Sequence, residues 1–264
     1  MTYNIDEIRS HFPALQTDAI FFDNPGGTQV SQEVIHAVTN YYCTMNANTH
    51  GAFATSQKSD AMMAQARNAF ADFLNARSPN EIVFGPNMTT LTFNISRALG
   101  RYIDEGDEII VTHLDHDADI SPWVALEERG AIVRWVDVHT DDCTLNMADF
   151  EKHLSTKTKI VAVGGASNAV GTLNDLKTII ALAHMAGAIV FVDAVHLAPH
   201  APIDVQDLDC DLLACSVYKF YGPHLGVLYG KYDLLNRLQA YKVRPADNLP
   251  PYKFETGTQN HEGI

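Results

Sequence analysis

Five short stretches of this 264-residue sequence carry side chains able to do chemistry, and each follows a run of apolar residues. IVFVDAVH sets Asp193 directly after four apolar residues, where a carboxylate is costly unless a cation or hydrogen bonds compensate it. An Asp there could also simply cap the next turn. LLACSVYKFYGP puts Lys219 a few residues beyond another apolar run, flanked by Ser216 and Tyr218. A lysine held in apolar surroundings can form a Schiff base with a carbonyl, while an ordinary lysine is solvated. GPNMTTLTFN brings Thr89 and Thr90 to a helix start, suited either to a phosphate on free N–H groups and hydroxyls or to plain capping. VGGASNAVG sets Asn168 among small residues that admit a flat ligand or form a turn. IIVTHLDHDADISPW supplies His113 and His116, and a histidine there could stack on a ring or move protons.

Metal ligation is the competing chemistry for histidines in these stretches. His113 and His116 make H-x-x-H, and His196 and His200 make H-x-x-x-H. Neither follows the H-E-x-x-H order of zinc hydrolases, and loop side chains need not converge, so no metal is assigned. There is no G-x-S-x-G elbow, Walker loop or G-x-G-x-x-G after a first strand, which removes the usual support for hydrolase and dinucleotide readings.

These residues need a scaffold, and the periodicities supply one. Strands are expected at Glu81 to Phe84, Glu108 to Thr112, Ala131 to Val138, Lys159 to Val163, Ala188 to Val192, Asp211 to Cys215 and Gly226 to Tyr229. Helical patterns lie between them, at Asp60 to Leu74, Thr90 to Tyr102, Ile120 to Glu128, Met147 to Leu154 and Leu176 to Ala186. IVAVGG and IVFVDAV are nearly continuous in apolar residues, as strands buried on both faces must be. The expected fold class is therefore α/β, a mainly parallel sheet sandwiched by helices. Ligands of such sheets bind at the carboxyl ends of the strands, where all five stretches fall.

Composition agrees with one large domain: 46% of residues are hydrophobic and 19% charged, with no repeat or linker. Net charge is −14 with no basic run, which argues against nucleic acid as a partner. No apolar segment is long enough to span a membrane, and the N-terminus lacks the pattern of a secretion signal. Cys43, Cys143, Cys210 and Cys215 form no C-x-x-C pair. They fit a reducing, cytoplasmic setting. Residues 244–264 are Pro-rich and irregular, which reads as a boundary segment after a 1–243 domain.

Taken in order, these strings resemble the class V aminotransferase group of fold-type I enzymes dependent on pyridoxal 5'-phosphate (PLP), most nearly its cysteine desulfurase and selenocysteine lyase branch. FFDNPGGTQ is similar to the family's N-terminal segment bordering the substrate site, and LDHDADISPW to its E-H-x-A-N-x-x-P-W string. GASNAVGT is similar to S-N-x-x-G-T, and FETGTQNHEGI to F-E-x-G-T-x-N. The resemblance implies that Lys219 carries the cofactor as a Schiff base and that Asp193 partners the pyridine nitrogen. It implies that His116 stacks on the ring and Asn168 bonds the 3'-oxygen. Thr89, Thr90, Ser216 and Tyr218 would surround the phosphate, with Thr258 reaching the phosphate of a second subunit in a homodimer.

Two departures bear on substrate. Ser216-Val217-Tyr218-Lys219 stands where desulfurases read S-x-H-K, and Asp193-Ala194-Val195-His196 where D-x-x-Q is common. Both are similar to kynureninase, whose aromatic stacking residue is nevertheless replaced by His116. Asn48-Thr49-His50-Gly51 also lacks the Arg that follows N-x-H in desulfurases. The resemblance places a sulfur-accepting cysteine and a carboxylate-binding arginine in a small C-terminal domain that this sequence does not include. The implied reaction is sulfur removal from cysteine, a small amino-acid substrate, with a sulfur-acceptor protein as a further partner. Kynureninase-like or epimerase-type chemistry, or a non-catalytic subunit, are the alternatives.

Overall fold

The computed structural model describes residues 4–264, so the first three residues of the expected 1–243 domain lie outside the described residues. Seven strands form one sheet: β1 (Ile82–Gly85), β2 (Glu108–Thr112), β3 (Ile132–Val136), β6 (Thr158–Gly164), β7 (Ile189–Asp193), β8 (Leu212–Ser216) and β9 (Gly226–Gly230), with β4 (Val138–His139) and β5 (Thr144–Leu145) making a small hairpin apart from it. The order is β1-β9-β8-β7-β6-β2-β3. Only β9 runs against its neighbours, so the expected mainly parallel sheet is observed.

Side-chain alternation divides the core between the two faces. On one face Phe84, Ile110, Val161, Val163, Val192 and Leu213 pack against the helices Ala54–Leu74 and Leu176–Met185. On the other, Val83, Ile109, Ile160, Phe191 and Leu228 meet the helix Met88–Leu99 and Trp123. Because both faces are covered, the strands are apolar throughout, which is why IVAV and IVFV read as unbroken runs.

The expected strands occur within a residue or two of their limits, except that the last of the Ala131 to Val138 run splits off into the β4–β5 hairpin. Residues 244–264 are irregular apart from one helical turn at Tyr252–Phe254, and they are docked on the sheet and its helices. Phe254 is buried in the core and Lys253 Nζ donates to the Asn236 and Leu238 carbonyls at 2.8 Å. No helix among the described residues is long and apolar enough to cross a membrane.

Candidate active site

Parallel strands end on one edge of the sheet, and that edge gathers Thr112, Gly164, Asp193 and Ser216 at the tips of β2, β6, β7 and β8. Asp193 is buried, and its Oδ1 accepts the Val195 N–H at 2.8 Å. Burial pushes its carboxyl up to about 6, against that hydrogen bond and the nearby charges of His116 and Lys219. Lys219 sits in the helical turn after β8, equally buried, with Nζ donating to the Pro25 carbonyl and lying 4.6 Å from the Tyr218 ring centre. The two groups expected to work together are thus within electrostatic reach on neighbouring strands.

The Tyr218 ring stacks on His224 with centroids 4.9 Å apart. Its carbonyl accepts the Thr28 N–H and hydroxyl at 2.9 and 3.0 Å. Gly27, at φ +125°, lies so close to the ring that a Cβ would meet it at 3.0 Å. This is how the FFDNPGGTQ stretch, distant in sequence, is fastened to the lysine turn.

Thr89 and Thr90 occupy the first turn of the helix Met88–Leu99, as expected, but neither caps it. Asn87 does, accepting the Thr90 N–H at 2.8 Å, and Ser216 Oγ accepts the Met88 N–H at 3.0 Å. Among the described residues the Thr89 N–H and both threonine hydroxyls have no partner, so this helix start keeps donors for an anion.

A cavity of about 390 Å³ is lined by Asn24, Pro25, Ser167, Asn168, His196 and His200, among others. Asn168 lies on the turn between Ser167 and Thr172, with Gly171 at φ +75°. The turn reading was therefore right, yet it leaves the Asn168 amide without a partner among the described residues and at the cavity wall. Burial first, then the charges of Lys219, His116 and His200, push His196 down to about 4, so its ring is neutral at neutral pH. His116 precedes a helical turn, and its Nδ1 accepts the Ala118 N–H at 3.0 Å, which leaves any proton on Nε2.

Thr258 is not brought to these residues. It is exposed and lines a separate groove of about 990 Å³ with Asn48, His50, Arg67 and His261. Cys210 and Cys215 are core residues as expected, their thiols pushed up to about 12 by burial.

Two residues of this edge were not anticipated. Asp115 accepts the Thr112 hydroxyl at 2.7 Å and the Gly164 N–H at 2.8 Å, and burial raises it to about 7. Asp119 is fully buried and accepts Trp123 Nε1–H at 3.2 Å. The D-x-x-x-W spacing was the available signal, since four residues is one helical turn.

The residues fit PLP: a buried acid at the tip of β7 and a buried amine in the turn after β8 lie within electrostatic reach, with unspent donors at a helix start for a phosphate. Residues 20–264 match the family Aminotransferase class-V. The sequence is 34% identical to a cysteine desulfurase of Pectobacterium atrosepticum, covering 100% of this chain and 70% of that protein. The fold is similar to the cysteine desulfurase CsdA of Escherichia coli, with a TM-score of 0.89 and 30% identity over 100% of this chain and 69% of that one. A second similar structure, C-DES with glycine covalently linked to its PLP cofactor, has a TM-score of 0.84 and 25% identity, covering 97% of this chain and 70% of that one.

Proposed function

This chain belongs to the class-V aminotransferase family, and on that premise we propose a PLP-dependent cysteine desulfurase in which Lys219 and Asp193 do the central work. The observation that carries this reading is the burial of that amine and that acid at the tips of β8 and β7, close enough to feel each other's charge. PLP supplies an electron sink for negative charge that develops at the α-carbon of an amino acid.

The chain's own groups do the rest. Lys219 Nζ, presently spent on the Pro25 carbonyl, is the amine for the covalent link and, when released, the carrier of the α-proton. Asp193 holds a proton at the pyridine nitrogen; its burial makes a cationic partner favourable. His116 would cover one ring face, and Asn168, with its unpaired amide, would take the 3'-oxygen. Thr89, Thr90, Ser216 and Tyr218 would hold the phosphate at the helix start. His196, neutral and at the cavity wall, would contact the cofactor there.

None of the four cysteines lines the cavity, in keeping with the resemblance, which places the sulfur-accepting thiol elsewhere. A homodimer with Thr258 serving the neighbouring site is consistent with its exposure here. A sulfur-acceptor protein and a cytoplasmic setting complete the reading, the latter supported by four free thiols. Tyr218 and His196 support a second reading, kynureninase-like cleavage.

Adding PLP should give the visible absorption of a lysine-linked cofactor, and Lys219→Ala should abolish it. Release of sulfide and alanine from cysteine, measured on this chain and on a longer one spanning the relatives' full length, separates desulfuration from kynureninase chemistry and from a non-catalytic subunit. No band with wild-type chain would end the proposal.

A further inference from the structure

Three carboxyl groups crowd the tips of β2, β6 and β7, and the proposed function uses one of them. Asp115 is held by two donors, and one of these, Gly164, is the residue in register beside Asp193. Asp119 differs from both. It has no solvent exposure, its Oδ1 takes the Trp123 N–H, and its Oδ2 is the one buried side-chain polar atom without a hydrogen-bond partner among the described residues. The charged groups that face it are Asp115, from the loop after β2, and Asp193, from β7. Only Asp193 has a lysine near it, Lys219.

An unpaired anion between two other acids is opposed by desolvation and by like charge together, so the group keeps its proton. A neutral unpaired hydroxyl costs far less than an unpaired charge. The geometry also says which oxygen is protonated, because Oδ1 is the acceptor for Trp123. Burial, then Asp115 and Asp193, raise Asp119 well above the ordinary carboxylate range. The string this segment resembles has Asn where Asp119 stands, a side chain of the same shape that cannot ionise.

We propose that Asp119 is a neutral carboxylic acid at neutral pH and a positioning residue: by staying uncharged it leaves the negative charge of the cluster on Asp193, ready for a pyridine nitrogen. The first half stands without any cofactor; the second rests on the function proposed above.

The linkage has a definite sign. The unfolded acid ionises near ~3.9 while the folded one does not, so stability is lost as pH rises from there toward the raised value. In the cofactor-free chain, the urea midpoint of Asp119→Asn should exceed that of wild type by a margin that widens from about pH 5 to about pH 8. Infrared difference spectra of wild type against the variant should show a protonated-carboxyl C=O stretch at neutral pH that the variant lacks. If Asp119→Asn does not fold, a carboxyl 13C titration of wild type with labelled aspartate replaces it, and should show, besides Asp115 titrating at about 7, a second Asp that stays unionised above that pH. A margin independent of pH, absence of that stretch, or ionisation of every Asp overturns the first half. With PLP added, Asp119→Asn should keep the wild-type absorption and its pH profile; a shifted profile overturns the second half. Absence of any band in wild type counts against the cofactor assignment, and the infrared result still decides the protonation.

Discussion

Asp193 and His196 stand three residues apart, yet their surroundings push them in opposite directions, and each direction makes a prediction. Asp193 is an acid made harder to ionise by burial, so its charge is useful only beside a cation. Asp193→Asn should leave the lysine-linked absorption in place while lowering kcat on the order of 10² to 10³, the usual loss when one preorganised electrostatic contact is removed. Steady-state kinetics on a catalytically competent chain, with spectra, checks this. His196 is a base made harder to protonate, folded at about 4 against ~6.5 unfolded. The unfolded chain therefore binds the proton first on acidification, and stability falls as pH drops through that window. His196→Gln should remove this loss, making the variant less acid-sensitive than wild type by about 1–2 kcal/mol near pH 4, read from urea midpoints at that pH and at neutrality. The chemistry of both residues was legible because each follows an apolar run. Asp119 was not: its burial depends on the return of β7 and on Trp123, contacts that no local pattern contains.

At the scale of elements, the site is made by where strands stop. The strands were readable because burial on both faces writes them as continuous apolar runs, whereas the long helix expected from Asp60 begins at Ala54, after Phe53, which offers no side-chain cap to mark the start. The helix Gln32–Thr44 was not among the expected patterns, and it buries only Tyr41. The β4–β5 hairpin escaped notice because two-residue strands show no period. The cap at Asn87 was also missed, the threonines beside it being equally good candidates. Its position is fixed from the far side by β9: a Cβ on Gly226 would strike the Asn87 backbone. Gly226→Ala should consequently cost about 1–3 kcal/mol, the price of overpacking, and should weaken PLP binding by displacing the first turn that carries Thr89 and Thr90. Chemical denaturation measures the first effect and cofactor titration the second. Asn87→Ala, by contrast, should cost about 1 kcal/mol through loss of the cap alone.

Across the whole molecule, the irregular last segment is joined to the sheet by an ion pair out of water's reach. Arg67, on the long helix Ala54–Leu74, donates from Nη1 and Nη2 to the two carboxylate oxygens of Glu255 at 2.7 and 3.0 Å. Each makes a further bond to the first strand: Arg67 also donates to the Ile82 carbonyl at 2.6 Å, and Glu255 accepts the Phe84 N–H at 2.8 Å. Side-chain exposures of 6% and 5% mean that neither charge can turn to solvent if its partner is lost. The bridge thus couples helix, first strand and residues 244–264 into one unit, and with them the groove that Thr258 lines. Breaking one side should be severe: Glu255→Gln or Arg67→Met should each destabilise by about 3–5 kcal/mol, because a buried charge is left uncompensated. Replacing both, as Arg67→Met with Glu255→Gln, should cost clearly less than the sum of the singles, since no lone charge remains. Urea unfolding of the four chains completes the cycle. A double variant as unstable as the sum would mean that the two residues act separately on helix and strand, and that the last segment is held by Phe254 and Lys253 instead.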